Sequence, residues 1–334
     1  MDKTILKKFA IESKVDLTKK IENRINSLYL DEQFDNEQKG DIFTLSNDKH
    51  KLNLTKDELD DREKLSKRIN EVGKNQVIEE ATFTWFNRII AIRYMEINDF
   101  LPLTSDNQSL GFRVLSSKDN APDPEILKFA NLNNNALDLK INKEYYLSLD
   151  ESKRFNYVLL LVCNKLSEVI PQVFDGRTDY IDVLMPDNLL SENGFISKLL
   201  KEVPEENFKQ VEVIGWLYQY YNQTEKDKVI SAKKAYKKNE IPYATQLFTP
   251  DWIVKYMVEN SLGRYYIEHN GMSDIVNNWK YFIKDNINIK NDKLNVEKIT
   301  FIDPCSGSGH ILVYGFELLY QMYINEGYSR QDIP

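Results

Sequence analysis

The chain has 334 residues and a mass of 39.3 kDa, with 42% hydrophobic residues, 12 Gly and 10 Pro. A chain of this length and apolar content can bury a sizeable core, most often in two domains, and the composition argues against long disorder. The formal net charge of -8 and the pI near 5.2 disfavour indiscriminate binding to nucleic acid but leave room for a local basic surface.

The sequence carries no sign of export or membrane insertion. Its first residues contain no apolar signal-peptide core, and the longest apolar run, residues 157–163, is much too short to span a bilayer. The two cysteines are far apart in sequence, which fits a reducing compartment. The three histidines have no ligand spacing, so no metal site is predicted. We therefore expect a cytoplasmic protein without a membrane segment or a metal.

Most of the first 240 residues are predicted to be helical, because apolar residues recur there at helical spacing. The predicted helices are residues 3–28, 59–72, 77–97, 154–170 and 207–221. Residues 105–124 and 175–179 are polar and turn-rich and are expected to form connections. Aromatic side chains of the third helix follow the helical spacing and are interpreted as core.

A basic segment, residues 226–238, follows these helices and is called the lysine segment below. Six lysines stand there against one acidic residue, Asp227, with Tyr236 among them. Such lysines can neutralise phosphates, and binding would then weaken steeply with salt. The alternative is a solvated helix face with Glu225, Asp227 and Glu240 as counter-charges, and the sequence favours that alternative.

Residues 244–254, Ala-Thr-Gln-Leu-Phe-Thr-Pro-Asp-Trp-Ile-Val, open another predicted helix. Thr249 suits its N-cap, Pro250 its first position, and Asp251 faces the positive end of the helix dipole. The predicted buried stripe consists of Val254, Met257, Val258 and Leu262. Free amides at such a helix start suit a carboxylate. Taken alone, the segment is more simply interpreted as a well-capped helix.

Residues 301–312, Phe-Ile-Asp-Pro-Cys-Ser-Gly-Ser-Gly-His-Ile-Leu, form the most informative stretch. The β-branched and aromatic residues of 298–302 predict an interior parallel strand. Gly307 and Gly309 permit positive φ and leave no Cβ in the way of a ligand. The following helix repeats apolar residues at Leu312, Phe316, Leu319 and Tyr323. A strand, glycine turn and helix of this kind can hold a nucleotide-like cofactor on backbone amides.

Two common nucleotide-binding patterns are missing from this turn. The dinucleotide fingerprint Gly-x-Gly-x-x-Gly has Leu312 at its third glycine, which disfavours an ordinary nicotinamide-binding domain. A phosphate-binding Gly-Lys-Ser/Thr is also missing. What remains, Asp-Pro-x-x-Gly-Ser-Gly at 303–309, resembles motif I of S-adenosylmethionine-dependent DNA methyltransferases. Gln-x-Phe-Thr-Pro at 246–250 resembles their motif X, in the order seen in amino-methylating DNA methyltransferases.

Longer segments are similar to the PglX adenine methyltransferases of bacterial BREX phage-exclusion systems. These segments are residues 1–10, 83–96, 217–222, 241–246 and 259–264. The resemblance implies a site-specific DNA adenine-N6 methyltransferase in which an Asn-Pro-Pro-Tyr segment holds a flipped-out target adenine. That tetrapeptide does not occur in this sequence, nor does the acidic residue expected after the second strand. We therefore expect the front part of a larger enzyme, inactive alone and binding its cofactor weakly if at all.

The resemblance also implies a fold, a site and partners. The fold is a mainly α N-terminal region, residues 1–240, followed by the incomplete start of an α/β Rossmann-like methyltransferase domain, residues 241–334. The residues that would hold S-adenosylmethionine are Gln246, Phe248, Thr249 and Pro250 at its methionine end, and Asp303, Pro304, Gly307 and Gly309 as the floor. Expected partners are double-stranded DNA, as part of the full enzyme, and other BREX proteins. The alternative is a non-catalytic helical module for protein or DNA interaction with a vestigial cofactor turn.

Overall fold

The structure is a computed structural model with two compact units, Met1–Thr224 and Glu225–Pro334. The described residues are 2–40, 42–101, 113–119, 121–131, 139–174, 180–210, 212–238, 240–245 and 247–333. Of the predicted connection over 105–124, residues 113–119 and 121–124 are described and contain no helix or strand, as expected, and the rest lies outside the described residues. The predicted connection over 175–179 lies wholly outside them. The placement of a domain boundary near residue 240 stays a prediction.

Helices dominate the first unit, as the sequence predicts. Its helices are α1 (Lys3–Ser27), α2 (Lys56–Val72), α3 (Lys74–Ile97), α4 (Glu125–Asn131), α5 (Lys143–Ser148), α6 (Glu151–Ser167), α7 (Pro171–Phe174), α8 (Phe195–Glu202), α9 (Glu205–Phe208) and α10 (Glu212–Tyr221), with a 3-10 turn at Asp182–Leu184. The predicted helix over 207–221 is two helices, α9 and α10. The mainly α character is thereby confirmed.

The unit also contains a small antiparallel sheet that was not predicted. Its strands are β1 (Asp35–Lys39), β2 (Ile42–Ser46) and β3 (Lys51–Thr55), in the order β1-β2-β3. Asn47 forms the second turn, where its Oδ1 accepts bonds from the amides of Lys49 and His50. Thr55 then caps α2 in a capping box with Glu58. β1 has no buried residue, so it lacks the alternation by which a strand is recognised.

The core of the first unit forms where α1 packs against α3, α8 and α10. Trp85 is fully buried, and its indole Nε1 donates to the carbonyl oxygen of Ile181 at 3.0 Å. Arg93 and Glu96 are also buried and form an ion pair. The second carboxylate oxygen of Glu96 accepts bonds from the amides of Val114 and Leu115, so the pair is held on both sides.

The boundary between the units lies in α11 (Gln223–Ser231). The second unit continues with α12 (Ile241–Thr245), α13 (Asp251–Val258), a π-helical turn (Glu259–Gly263), α14 (Arg264–Asn270), 3-10 turns at Asp274–Asn278 and Val296–Lys298, and α15 (His310–Asn325). Its core is an apolar cluster to which α13, α14 and α15 contribute. Within the described part of this unit, no residue is in a β-strand.

The strand predicted over 298–302 is therefore wrong for this chain. An extended segment becomes a strand only when it pairs with a neighbour, and none of the described segments pairs with it. Ile302, expected to be buried, is 84% exposed. On the following helix Leu312 and Phe316 are also exposed, and the buried residues include Tyr314 and Leu318 instead.

Candidate cofactor site

The glycine turn ahead of α15 is built by local hydrogen bonds. Asp303 Oδ1 accepts a bond from the Cys305 amide at 2.9 Å, and the Gly309 amide donates to the Ser306 carbonyl at 2.7 Å. Gly307 and Gly309 have φ of 52° and 79°, in the left-handed region predicted for them. A Cβ added at Gly309 would meet nothing within 4 Å, so the backbone there faces open space.

Asp303 has a second carboxylate oxygen with a different role. Its Oδ2 is buried and has no hydrogen-bond partner among the described residues. A buried carboxylate oxygen without a donor is costly, whereas a bond from an ammonium or hydroxyl group would offset that cost. Asp303 is therefore suited to build the turn through Oδ1 and to accept a ligand's donor through Oδ2.

The two segments singled out in the sequence meet at His310, the first residue of α15. The His310 ring stacks on Phe248, with ring centroids 4.9 Å apart and an angle of 3° between the planes. Its Nδ1 lies 3.0 Å from the Thr249 carbonyl oxygen, and its Nε2 lies 3.8 Å from Asp251 Oδ1. Because a carbonyl only accepts, the first contact assigns a proton to Nδ1. His310 thus joins the start of α13 to the glycine turn.

Two hydrogen bonds of the buried Glu259, below His310, fix the position of α15 relative to the end of α13. Tyr314 Oη donates to Glu259 Oε1 at 2.7 Å, and Glu259 Oε2 accepts from the Tyr281 amide at 2.6 Å. Burial and the bond to Glu259 both raise the pKa of the Tyr314 phenol. Glu259 is fully buried and opens the π-helical turn, a rare element that is frequent at functional sites.

The segment that enters the turn is held by a close approach, although it is not a strand. A Cβ on Gly315 would lie 2.6 Å from Phe301 Cε1, so only a glycine leaves room for that ring against α15. The position of residue 301 relative to α15 is thereby fixed.

Most predicted site residues lie in these two segments. Phe248, Thr249 and Pro250 precede α13, and Asp303, Pro304, Gly307 and Gly309 form the turn. Gln246 lies outside the described residues. Two local details were wrong: α13 begins at Asp251 with Pro250 at its N-cap, so Thr249 does not cap the helix and Pro250 is not its first residue. Met257, predicted to be buried, is exposed, whereas Val254, Val258 and Leu262 are buried as expected.

Sequence reasoning did not single out the residues that join the segments. The sequence patterns assign no site role to His310, Gly315 or Glu259, and they relate Asp251 only to the helix dipole. The position of His310 directly after Gly309 was an available signal, because a side chain at a helix start can reach the preceding turn. Across the described residues, no cluster of three or more His, Cys, Asp or Glu could hold a metal ion. None of the described helices is long and apolar enough to cross a membrane.

Comparison with curated proteins identifies relatives of this chain. It is 37% identical over 372 residues to the adenine-specific methyltransferase PglX of Lacticaseibacillus casei (strain Zhang), a match that covers 99% of this chain and 30% of the relative. It is 36% identical over 288 residues to the adenine-specific methyltransferase BrxX of Escherichia coli O9:H4 (strain HS), covering 82% of this chain and 23% of that relative. The resemblance to the PglX-type adenine-specific methyltransferases is confirmed. The chain spans less than a third of these relatives' length, and no protein-family model matches it.

Proposed function

We propose that this chain is the N-terminal part of a site-specific DNA adenine-N6 methyltransferase of the BREX phage-defence type. In this proposal residues 244–254 and 301–312 form the site for S-adenosylmethionine. The observation that carries it is His310, which ties Phe248 and Thr249 to the turn at Gly309. The two patterns that resemble methyltransferase motifs lie together at this contact, although 61 residues separate Thr249 from His310 in sequence, as a shared ligand would require.

The residues present fit such a cofactor. The Asp303 Oδ2 acceptor lacks a donor among the described residues and suits the cofactor's ammonium group. The turn at Gly307 and Gly309 lets a ligand approach the backbone, and the start of α13 has no side-chain cap over its amides, which suit a carboxylate. When bound, S-adenosylmethionine supplies the methyl group. The chain's own part is to bind and orient it.

The proposed fold of the second unit is the incomplete start of a Rossmann-like methyltransferase domain. Its support is the pattern of exposure around the turn. Ile302 is 84% exposed and Phe316 is 61% exposed, although both belong to segments with the composition of a buried strand and helix. Such side chains would be covered by neighbouring strands of a parallel sheet. We further propose that DNA and other BREX proteins are partners of the complete enzyme, in the cytoplasm.

Ligand-observed saturation-transfer NMR of this chain with S-adenosylmethionine tests the site, because the method detects weak binding. We expect a signal for wild type, its loss in Gly309→Val and a reduced signal in Asp303→Asn. The asparagine keeps an Oδ1 acceptor for the turn but replaces the free acceptor with a donor. The matched control is Gly271→Val, because Gly271 also has a positive φ and open space but lies at the end of α14.

A second pair of variants, one at His310 and one at a control histidine, tests the role of His310. His310→Ala should weaken cofactor binding, whereas His269→Ala should not, although His269 Nδ1 also lies 3.0 Å from a carbonyl oxygen and its ring packs on Tyr265. Equal signals in wild type and Gly309→Val, or no wild-type signal at millimolar cofactor, would contradict the proposed site. We expect no methyl transfer to DNA by this chain alone, because the acceptors of Asn-Pro-Pro-Tyr are missing from it.

A further inference from the structure

We propose that the lysine segment, residues 226–238, is a surface that binds the phosphates of duplex DNA. The inference rests on the proposed function for its choice of partner, since that function requires the complete enzyme to approach DNA. It goes further by assigning the contact to particular side chains. The sequence alone favoured a solvated face with counter-charges, and the structure shows such a pair for Lys234 with Glu240 but none for four of the other lysines among the described residues.

Most of the segment is open to solvent, although Val229 is buried and Lys226 is partly buried. α11 ends at Ser231, and Lys233 then takes a left-handed conformation with φ of 47°, which turns the chain out of the helix. Every residue from 231 to 238 is exposed, and so is Lys228 on the helix itself. Lys233, Lys234, Lys237 and Lys238 therefore lie on a non-helical stretch and not along a helix face.

Glu240 supplies the counter-charge of one of these lysines. Lys234 Nζ lies 3.4 Å from Glu240 Oε1, and the backbone amide of Lys237 donates to Glu240 Oε2. Among the described residues, the side chains of Lys228, Lys233, Lys237 and Lys238 have no carboxylate within ion-pair distance. Four cations of the segment are thus left without a counter-charge among the described residues.

The helix dipole explains the position of one further lysine. Lys228 lies in the last turn of α11, where a cation is favourable. The effect fades within a turn, so it does not explain Lys233, Lys237 or Lys238, which follow the helix. A row of unpaired cations beside a half-exposed tyrosine, Tyr236, fits a polyanion that carries bases. Since the chain as a whole carries a net charge of -8, such a polymer would be directed to this segment.

The test is fluorescence anisotropy of a labelled duplex of about 30 base pairs with the full chain, at salt from about 50 to 200 mM. The variant K228Q/K233Q/K237Q/K238Q removes the four unpaired lysines. The control K8Q/K19Q/K49Q/K51Q removes four exposed lysines of the first unit and changes the net charge equally. Circular dichroism establishes that both variants are folded. The assay contains no cofactor, so its outcome is independent of whether S-adenosylmethionine binds.

We expect the slope of log K against log salt to fall by about 3 to 4 in the segment variant and to stay near wild type in the control, since each phosphate contact contributes about 0.9. Equal losses in the two variants would mean that only net charge matters and would overturn the proposal. So would the absence of any wild-type binding, or tighter binding to single-stranded RNA than to duplex DNA.

Discussion

The two units of this chain differ in how far their apolar surface is covered. In the first unit Trp85 is fully buried, the buried charges of Arg93 and Glu96 are paired, and, among the described residues, exposed large apolar side chains such as Phe100 and Val169 are fewer than in the second unit. In the second unit Ile302, Phe316 and Trp252 are exposed beside an ordered core of α13, α14 and α15. The difference indicates that the first unit is stable by its own packing, whereas the second carries surfaces suited to partners or to further structure.

The largest expected effect on stability is that of replacing a buried tryptophan, compared with replacing an exposed one. Trp85→Ala removes a fully buried indole together with its bond to Ile181 and should lower the free energy of unfolding by about 3–5 kcal/mol. Trp252→Ala is the control, because that side chain is 56% exposed, and its effect should stay within about 0.5 kcal/mol. Urea denaturation followed by circular dichroism measures both. Comparable losses in the two variants would remove the distinction between the units.

A smaller effect is expected inside the second unit. Tyr314→Phe deletes the donor to the buried Glu259 Oε1 and should cost about 1–3 kcal/mol, since that oxygen loses its partner without regaining water. The exposed Tyr256→Phe serves as the control and should be nearly neutral. Thermal denaturation of the two variants distinguishes a packed core in this unit from a loose one, in which both changes would be silent.

The pH dependence of stability gives a third test, in the first unit. Burial of Asp61, helped by the nearby charges of Asp182 and Asp57 and opposed by Lys64, raises its pKa from 3.8 to about 6. A carboxyl whose pKa is higher in the folded state contributes full stability below pH about 4 and loses it as the pH rises through about 6. Asp61→Asn should therefore stabilise the protein at pH 7, on the order of 1 kcal/mol, and show no gain near pH 4. A gain that is the same at both pH values would contradict the assignment, and the exposed Asp60→Asn is the matched control.

The smallest effect on stability is expected at the exposed face of α15. Phe316→Ser and Ile302→Ser should change the free energy of unfolding by no more than about 0.5 kcal/mol while lowering dye binding and self-association. Val15→Ser, at an equally exposed but isolated position on α1, should change neither. Sedimentation velocity measures the association. A large loss of stability in Phe316→Ser would mean that this face already packs against the unit's core.

What the sequence could predict follows from the range of each interaction. Helical spacing of apolar residues located α1, α3 and α6 to within a few residues, because that signal is local. Residues 298–302 carry an equally local strand signal, but strand formation depends on a neighbour, and Ile302 lies exposed without one. The all-polar β1 gave no signal, because its pairing with β2 supplies its structure.

In the candidate site, too, some features could be predicted from the sequence and others could not. Gly307 and Gly309 were predictable, since a left-handed turn restricts the residue type at its own position. The stacking of His310 on Phe248 and the approach of Phe301 to Gly315 depend on how distant segments pack, which no single short pattern encodes. The long segments that resemble PglX enzymes identified the relatives, whereas the contacts that join the segments required the fold.

Photolabelling tests the central claim most directly. The full chain is irradiated with ultraviolet light in the presence of tritiated S-adenosylmethionine, and the labelled peptides are mapped. We expect label in peptides from 244–254 and 301–312, suppressed by S-adenosylhomocysteine and lost in Gly309→Val but not in Gly271→Val. Label concentrated in Met1–Thr224, or label that the competitor does not suppress, would contradict the proposal that these two segments form the cofactor site.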